Sequence, residues 1–169
     1  MKSLYLMRHA KSSWSFEDLT DEQRPLNGRG REDAPRMGQA LVKRNIKLDL
    51  LLSSAAVRAL TTAALVAKEI DYAHERIVVR PEIYHADVQT LLDIVRSCPD
   101  EADSVLLVGH NNTISEFANL LSPGALHEEM PTAGIVCLHI QVDRWADVDQ
   151  SKTEFYFFDR PRDKPRDVE

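Results

Sequence analysis

A chain of 169 residues, 43% hydrophobic and 28% charged, suits one globular domain with a real core. Its net charge of −6 argues against a general nucleic-acid binder, and no apolar run approaches a membrane span. The charge is uneven: residues 1–60 hold 11 Lys+Arg against 7 Asp+Glu, and residues 61–169 hold 10 against 20, so a local arginine cluster near the N-terminus could still hold a phosphate.

Leu4-Tyr5-Leu6-Met7 is a short continuous apolar run, the pattern of a buried strand, and it leads directly into Arg8 and His9. Four residues are too few for a signal peptide. A polar loop follows over roughly residues 11–27, with Trp14 and Phe16 embedded in it. A helix is expected from there to about Asn45, because Met37, Ala40, Leu41 and Arg44 recur in threes and fours; Asn27 and Asp33 could each cap it, and Pro35 fits best in a first turn. Residues 49–54 form a second buried strand leading into a helix through about Ile70, with Ala55, Ala59, Thr62, Ala63 and Val66 on one face. Residues 77–79 read as a third strand, stopped by Pro81, and residues 88–97 as a helix capped by Asp87. Residues 105–108 are a fourth strand ending in Gly109-His110-Asn111, and 113–121 the helix after it. Residues 135–142 and 154–158 are late strands, a hairpin partner and an edge. Residues 1–159 thus read as the domain, and 160–169, charged and broken by Pro161 and Pro165, as a loosely held tail. Cys98 and Cys137 lack CxxC or Cys/His spacing and read as reduced, buried small hydrophobes, with the cytoplasm as the default location.

Strand alternating with helix predicts an α/β domain with a mostly parallel sheet covered on both faces. In such folds ligands bind beyond the carboxyl ends of the strands, and that rule unites three segments. His74, His127 and His139 read as ordinary polar residues, whereas His9 and His110 each terminate a buried strand, a pairing that could also be structural. Arg58 falls near the first turn of the helix after the second strand, where free N–H groups, the positive dipole end and a guanidinium fork together favour an anion. Two arginines and two histidines converge without a nucleophilic Cys, a Ser-His-Asp order or P-loop glycines. That set points to phosphate bound without a metal or nucleotide motif.

Leu6-Met7-Arg8-His9-Ala10 resembles the Arg-His-Gly/Ala signature of the histidine phosphatase superfamily, in its phosphoglycerate-mutase-like branch. The segment from Ser54 to Ala63 is similar to that family's second arginine motif, Val108-Gly109-His110-Asn111 to its second histidine motif, and Arg24-Pro25-Leu26-Asn27-Gly28-Arg29-Gly30 to the segment entering the first helix. Small size, the alanine after His9 and the stretch from Pro81 to Ala86 look most like SixA-type phosphohistidine phosphatases, and the resemblance runs from about Lys2 to Phe158.

The resemblance implies a single-domain, three-layer α/β/α sandwich and a metal-independent phosphatase that needs no cofactor. It implies that His9 is the nucleophile, transiently phosphorylated, and that Arg8, Arg58 and His110 surround the phosphoryl oxygens. Trp14-Ser15 stands where mutase-like relatives often carry Trp-Asn, which makes Ser15 a further substrate contact. The general acid in such relatives is a glutamate after the third strand; Glu82 sits in about that place, with His85 and Asp87 as weaker candidates. Phosphohistidine needs less acid assistance than a sugar or serine ester, because protonated imidazole departs easily. Only residues 83–104 separate Glu82 from the fourth strand, too little chain for a large lid, and an open site suits phosphate displayed on a protein. The partner implied is a phosphorylated protein, such as a histidine-containing phosphotransfer domain, with neither nucleic acid nor membrane involved. A small-molecule phosphomonoesterase of the same superfamily is the alternative. A non-catalytic phosphate-binding module is opposed by the intact histidines and Arg58, and a metal-dependent hydrolase by arginines beside the would-be ligands and the lack of HxH or HExxH spacing.

Overall fold

The computed structural model describes residues 1–161. Six strands form one sheet: β1 (Lys2–Arg8), β2 (Leu50–Ser53), β3 (Val78–Val79), β4 (Ser104–Gly109), β5 (Ile135–Ile140) and β6 (Thr153–Asp159). Their spatial order is β3-β2-β4-β1-β5-β6. The first four run parallel, while β5 lies antiparallel to β1 and β6 antiparallel to β5. The sheet is thus mostly parallel with an antiparallel hairpin closing one side, as the two late strands foretold.

Four helices cover it: α1 (Gly28–Lys43), α2 (Val57–Glu69), α3 (Val88–Arg96) and α4 (Thr113–Leu121). The two-residue side-chain period of β1 divides the core. Leu4 and Leu6 face a cluster with Leu91, Ile94, Ile114 and Phe117 of α3 and α4. Tyr5 and Met7 face Met37, Leu41, Ala63 and Val66 of α1 and α2. Because the middles of β1 (residues 4–7) and β4 (residues 105–108) are buried on both sides, they are apolar there, which is why they read as continuous runs. Both cysteines are free and buried, one in each cluster.

Local chemistry sets the helix starts. The Asn27 side chain accepts from the Gly30 N–H at 2.9 Å and caps α1, and Asp87 accepts from the Thr90 N–H at 2.8 Å and caps α3. Asp33 instead lies inside α1, fully buried and ion-paired with Arg29 at 3.3 Å. Pro35 also falls deeper than expected, inside the helix and past its first turn. A Cβ on Gly30 would stand 2.1 Å from the Lys11 carbonyl, so only glycine lets the start of α1 press against the chain leaving β1. The third strand is shorter than expected, two residues at an exposed sheet edge. Among the described residues no helix is long and apolar enough to cross a membrane. Of the expected tail, residues 162–169 lie outside the described residues.

Candidate active site

Parallel register brings the three sequence segments together. Arg8 is opposite Gly109 across the β1–β4 pair, and Ser53 is opposite Val108 across β2–β4. The residues that follow, His9, Ser54 and His110, therefore emerge level at one sheet edge, with the His9 N–H bonded to the Gly109 carbonyl and the Ser54 N–H to that of Val108. Arg58 comes from the first turn of α2, which leaves the same edge. Thr62 ties this helix to the chain after β1: its Oγ1 accepts from the Ala10 N–H at 3.0 Å and donates to the Arg58 carbonyl at 2.7 Å. The imidazoles of His9 and His110 stand 5.2 Å apart, centroid to centroid. A cavity of about 350 Å³ opens over them, lined also by Arg8, Arg58, Trp14 and Asp21, at the small end of ligand sites.

The hydrogen bonds of His9 define its chemistry. Nδ1 lies 2.7 Å from the Ala10 carbonyl oxygen, which can only accept, so Nδ1 carries the proton and Nε2 keeps its lone pair. Burial lowers its pKa to about 3, with His110, Arg58 and Arg8 adding positive charge nearby, while the Ala10 bond pulls the other way. At neutral pH His9 is therefore an uncharged imidazole whose nucleophilic nitrogen is available.

His110 pairs with a hydroxyl, which can donate or accept. Its Nε2 is 2.8 Å from Ser54 Oγ, which also accepts from the Ala56 N–H at 3.1 Å. With the serine proton on that bond, the His110 proton is on Nδ1. That Nδ1 is buried and has no partner within the described residues. Burial, with Arg58 next, lowers the His110 pKa to about 4.

Three more cavity-lining residues carry a buried donor without a partner among the described residues: Arg8 at Nε, Arg58 at Nε and Asn111 at Nδ2. Buried polar groups are ordinarily satisfied, so four such donors on four residues around one cavity set this region apart from the rest of the core. The guanidinium of Arg8 is anchored by donating from Nη1 to the Met130 carbonyl at 2.9 Å, and burial lowers its pKa. Arg58 donates from Nη1 to the Asp21 carbonyl at 2.6 Å and from Nη2 to the Asp21 carboxylate at 2.9 Å. The same carboxylate accepts from Tyr84 Oη at 2.5 Å and from Arg24 Nε at 3.1 Å. Tyr84 first, then Arg58 and Arg24, hold the Asp21 carboxyl well below the usual range, so it stays ionised. An oxyanion could be received here by Arg8, Arg58 and His110 with His9 beneath it.

Arg8, His9, Arg58 and His110 are thus brought together. Two of the expected residues are not. Ser15 is exposed and outside the cavity lining; its N–H bonds Ser13 Oγ at 3.1 Å, and Ser12 lines the cavity instead. Glu82 is also outside the lining, on a 3-10 turn (Pro81–Ile83), where its carboxylate accepts from Arg80 Nε at 3.1 Å. That bond lowers the Glu82 pKa, the opposite of what a general acid needs. His85 does line the cavity, while Asp87 serves as the α3 cap. Asp21, Arg24, Tyr84 and Thr132 also line it and had drawn no role from sequence. Only Arg24 and Tyr84 stood in motif-like stretches that could have pointed to them. Among the described residues no three His, Cys, Asp or Glu side chains cluster as metal ligands.

Comparison with known proteins agrees with this geometry. An uncharacterized protein of Mycobacterium tuberculosis is 32% identical over 165 residues, covering 92% of this chain and all of the relative. The serine/threonine-protein phosphatase Pgam5 of Drosophila persimilis is 41% identical over 146 residues, covering 69% of this chain and 49% of that protein. Among solved structures, SixA from Agrobacterium tumefaciens superimposes with a TM-score of 0.78 at 29% identity, covering 93% of this chain and 97% of that one. The protein histidine phosphatase SixA complexed with tungstate shares the fold with a TM-score of 0.79 at 22% identity, covering 94% and 97%. Residues 4–89, which carry the first arginine–histidine pair and Arg58, match the histidine phosphatase superfamily (branch 1). With that match, and with its motifs meeting at one sheet edge, the chain belongs to the histidine phosphatase superfamily, a membership that supports phosphatase activity.

Proposed function

We propose that this protein hydrolyses phosphohistidine on a protein substrate, through a covalent phosphohistidine intermediate on His9 and without a metal ion. The observation that carries the reading is the state of His9: a buried neutral imidazole with Nδ1–H held by Ala10 and Nε2 free, in a cavity lined by Arg8, Arg58 and His110. The SixA likeness supports the choice of phosphohistidine.

His9 Nε2 attacks phosphorus, and the bond from phosphorus to the substrate imidazole breaks. That imidazole leaves with a proton, and His85 at the exposed mouth is the side chain suited to supply it in place of Glu82. Charge on the three equatorial oxygens is received by Arg8, Arg58 and His110, side chains held beforehand by Met130, Asp21 and Ser54. Water then attacks phosphorus, the bond to Nε2 breaks, and phosphate departs with His9 restored.

The test is acid-free quenching of the enzyme during turnover of a labelled phosphohistidine protein. Label on His9 in an acid-labile, base-stable linkage is expected, and His9→Ala should abolish both label and turnover. Label on serine, or full turnover by His9→Ala, refutes the mechanism. Phosphoserine peptides and sugar phosphates compared by kcat/KM, with and without chelator, test substrate class and metal independence; a clear preference for a metabolite refutes the protein substrate.

A further inference from the structure

The cavity lies beside an exposed apolar platform. Trp14, Phe16 and Leu19 are 69%, 54% and 37% exposed, all within the loop between β1 and α1. Large side chains left in water on one short loop mark a contact surface more readily than scattered ones do. This loop is not slack: the Ser13 N–H bonds the Pro25 carbonyl at 2.8 Å and the Asn27 N–H the Lys11 carbonyl at 3.0 Å, stapling its two ends. Arg24 lies over the Trp14 ring at 3.4 Å and bonds Ser12 and Ser13, so the indole is preset. The Leu19 N–H approaches the Phe16 carbonyl at 3.5 Å, turning the loop tip back. A rigid aromatic anchor binds with less ordering cost than a flexible one.

The same loop is acidic. Glu17, Asp18 and Glu22 are exposed, and Glu129 lies close enough to Arg8 to favour its charge. The site is therefore cationic at its floor and anionic at its rim. A small, highly charged phosphometabolite is attracted by the first and repelled by the second. Phosphate on a basic protein surface gains from both. Trp14 and Asp21 also line the cavity, so platform and cavity are continuous.

We propose that the loop from Trp14 to Gln23 is the docking surface for the phosphorylated protein, and that it selects phosphohistidine flanked by apolar and basic side chains. The inference rests on the phosphohistidine reading above and adds its selectivity.

Two phosphohistidine peptides of equal length, one flanked by Lys and Leu and one by Glu and Gly, test it, with p-nitrophenyl phosphate as a control substrate that carries no flanking residues. The basic, apolar peptide should have the higher kcat/KM by about tenfold or more, expressed in KM. The double variant Phe16→Ala/Leu19→Ala should remove about tenfold of that advantage, and Glu17→Lys/Asp18→Lys should favour the acidic peptide instead. Both variants should keep parental turnover of p-nitrophenyl phosphate, which also reports an intact fold. Equal kcat/KM for the two peptides, or parental selectivity in both variants, overturns the docking surface alone. Turnover of p-nitrophenyl phosphate with neither peptide overturns the phosphohistidine reading and this inference with it.

Discussion

The neutral histidine pair should make the fold unusually sensitive to mild acid. In the unfolded chain both imidazoles titrate near 6.5, whereas burial lowers them to about 3 for His9 and about 4 for His110 in the native state. Between those values the unfolded chain binds protons that the native state refuses, so stability rises with pH through that window and is lost as pH falls below 6.5. At pH 5 the unfolded chain sits about 1.5 pH units below its histidine pKa, so each buried histidine costs about 2 kcal/mol relative to pH 7.5, or about 4 for the pair. Urea unfolding at the two pH values measures the difference. Other carboxylates and histidines titrate too, so the informative quantity is the change caused by substitution. His9→Asn should reduce the acid-induced loss by about 2 kcal/mol, and His110→Asn by a similar amount. If either variant loses as much stability as the parent between pH 7.5 and pH 5, its histidine is already charged or ordinarily solvated in the native state. The free-base nucleophile would then have to be abandoned for His9.

Three further substitutions probe the cavity. Arg58→Ala should lower kcat/KM by about 10² to 10³ and weaken competitive inhibition by vanadate, with near-parental circular dichroism; parental activity would mean that α2 does not present Arg58 to the phosphoryl group. Ser54→Ala should lower kcat by about tenfold, because the His110 proton is no longer held on Nδ1, and nitrogen NMR of His110 should show mixed tautomers where the parent shows one; an unchanged tautomer would remove Ser54 from that role. Glu82→Gln should keep kcat within about twofold, since its carboxylate pairs with Arg80 at the surface. A loss approaching that of Arg58→Ala would restore Glu82 as the acid.

The parts of the site legible in the sequence are those fixed by backbone architecture. A run such as Leu4–Met7 suits a strand buried on both faces, and parallel strands of one sheet present their carboxyl ends together. Arg8, His9 and His110 follow from that rule, and Arg58 from its place at a helix start. Asp21 and Ser15 follow from no such rule, since both lie in a loop whose path is set by the Ser13–Pro25 and Lys11–Asn27 bonds and by the packing of Gly30. No periodicity records those contacts. Glu82 failed for a related reason. One 3-10 turn decides whether a side chain after β3 points to the cavity or to Arg80, and the turn places Tyr84 and His85 at the cavity instead.

The interaction between Asp21 and Arg58 limits how the guanidinium can meet a phosphoryl group. Each Nη of Arg58 uses one of its two N–H groups on Asp21, while the sealed Nε–H has no partner among the described residues. A phosphoryl group can be received at the remaining Nη N–H groups without breaking the Asp21 bonds, and the carboxylate then keeps the guanidinium plane fixed across the reaction. If phosphate instead displaced Asp21 from Arg58, the ionised carboxylate would keep Tyr84 and Arg24 but lose one of its three side-chain partners beside an incoming dianion, an arrangement electrostatics opposes. Preorganisation by a retained carboxylate costs some net positive charge, yet it spares the site from reorganising a long side chain at every turnover. Arg8 and His110 follow the same logic. Each of those side chains is held through one nitrogen, by Met130 or Ser54, which fixes its orientation at the cavity before phosphate arrives.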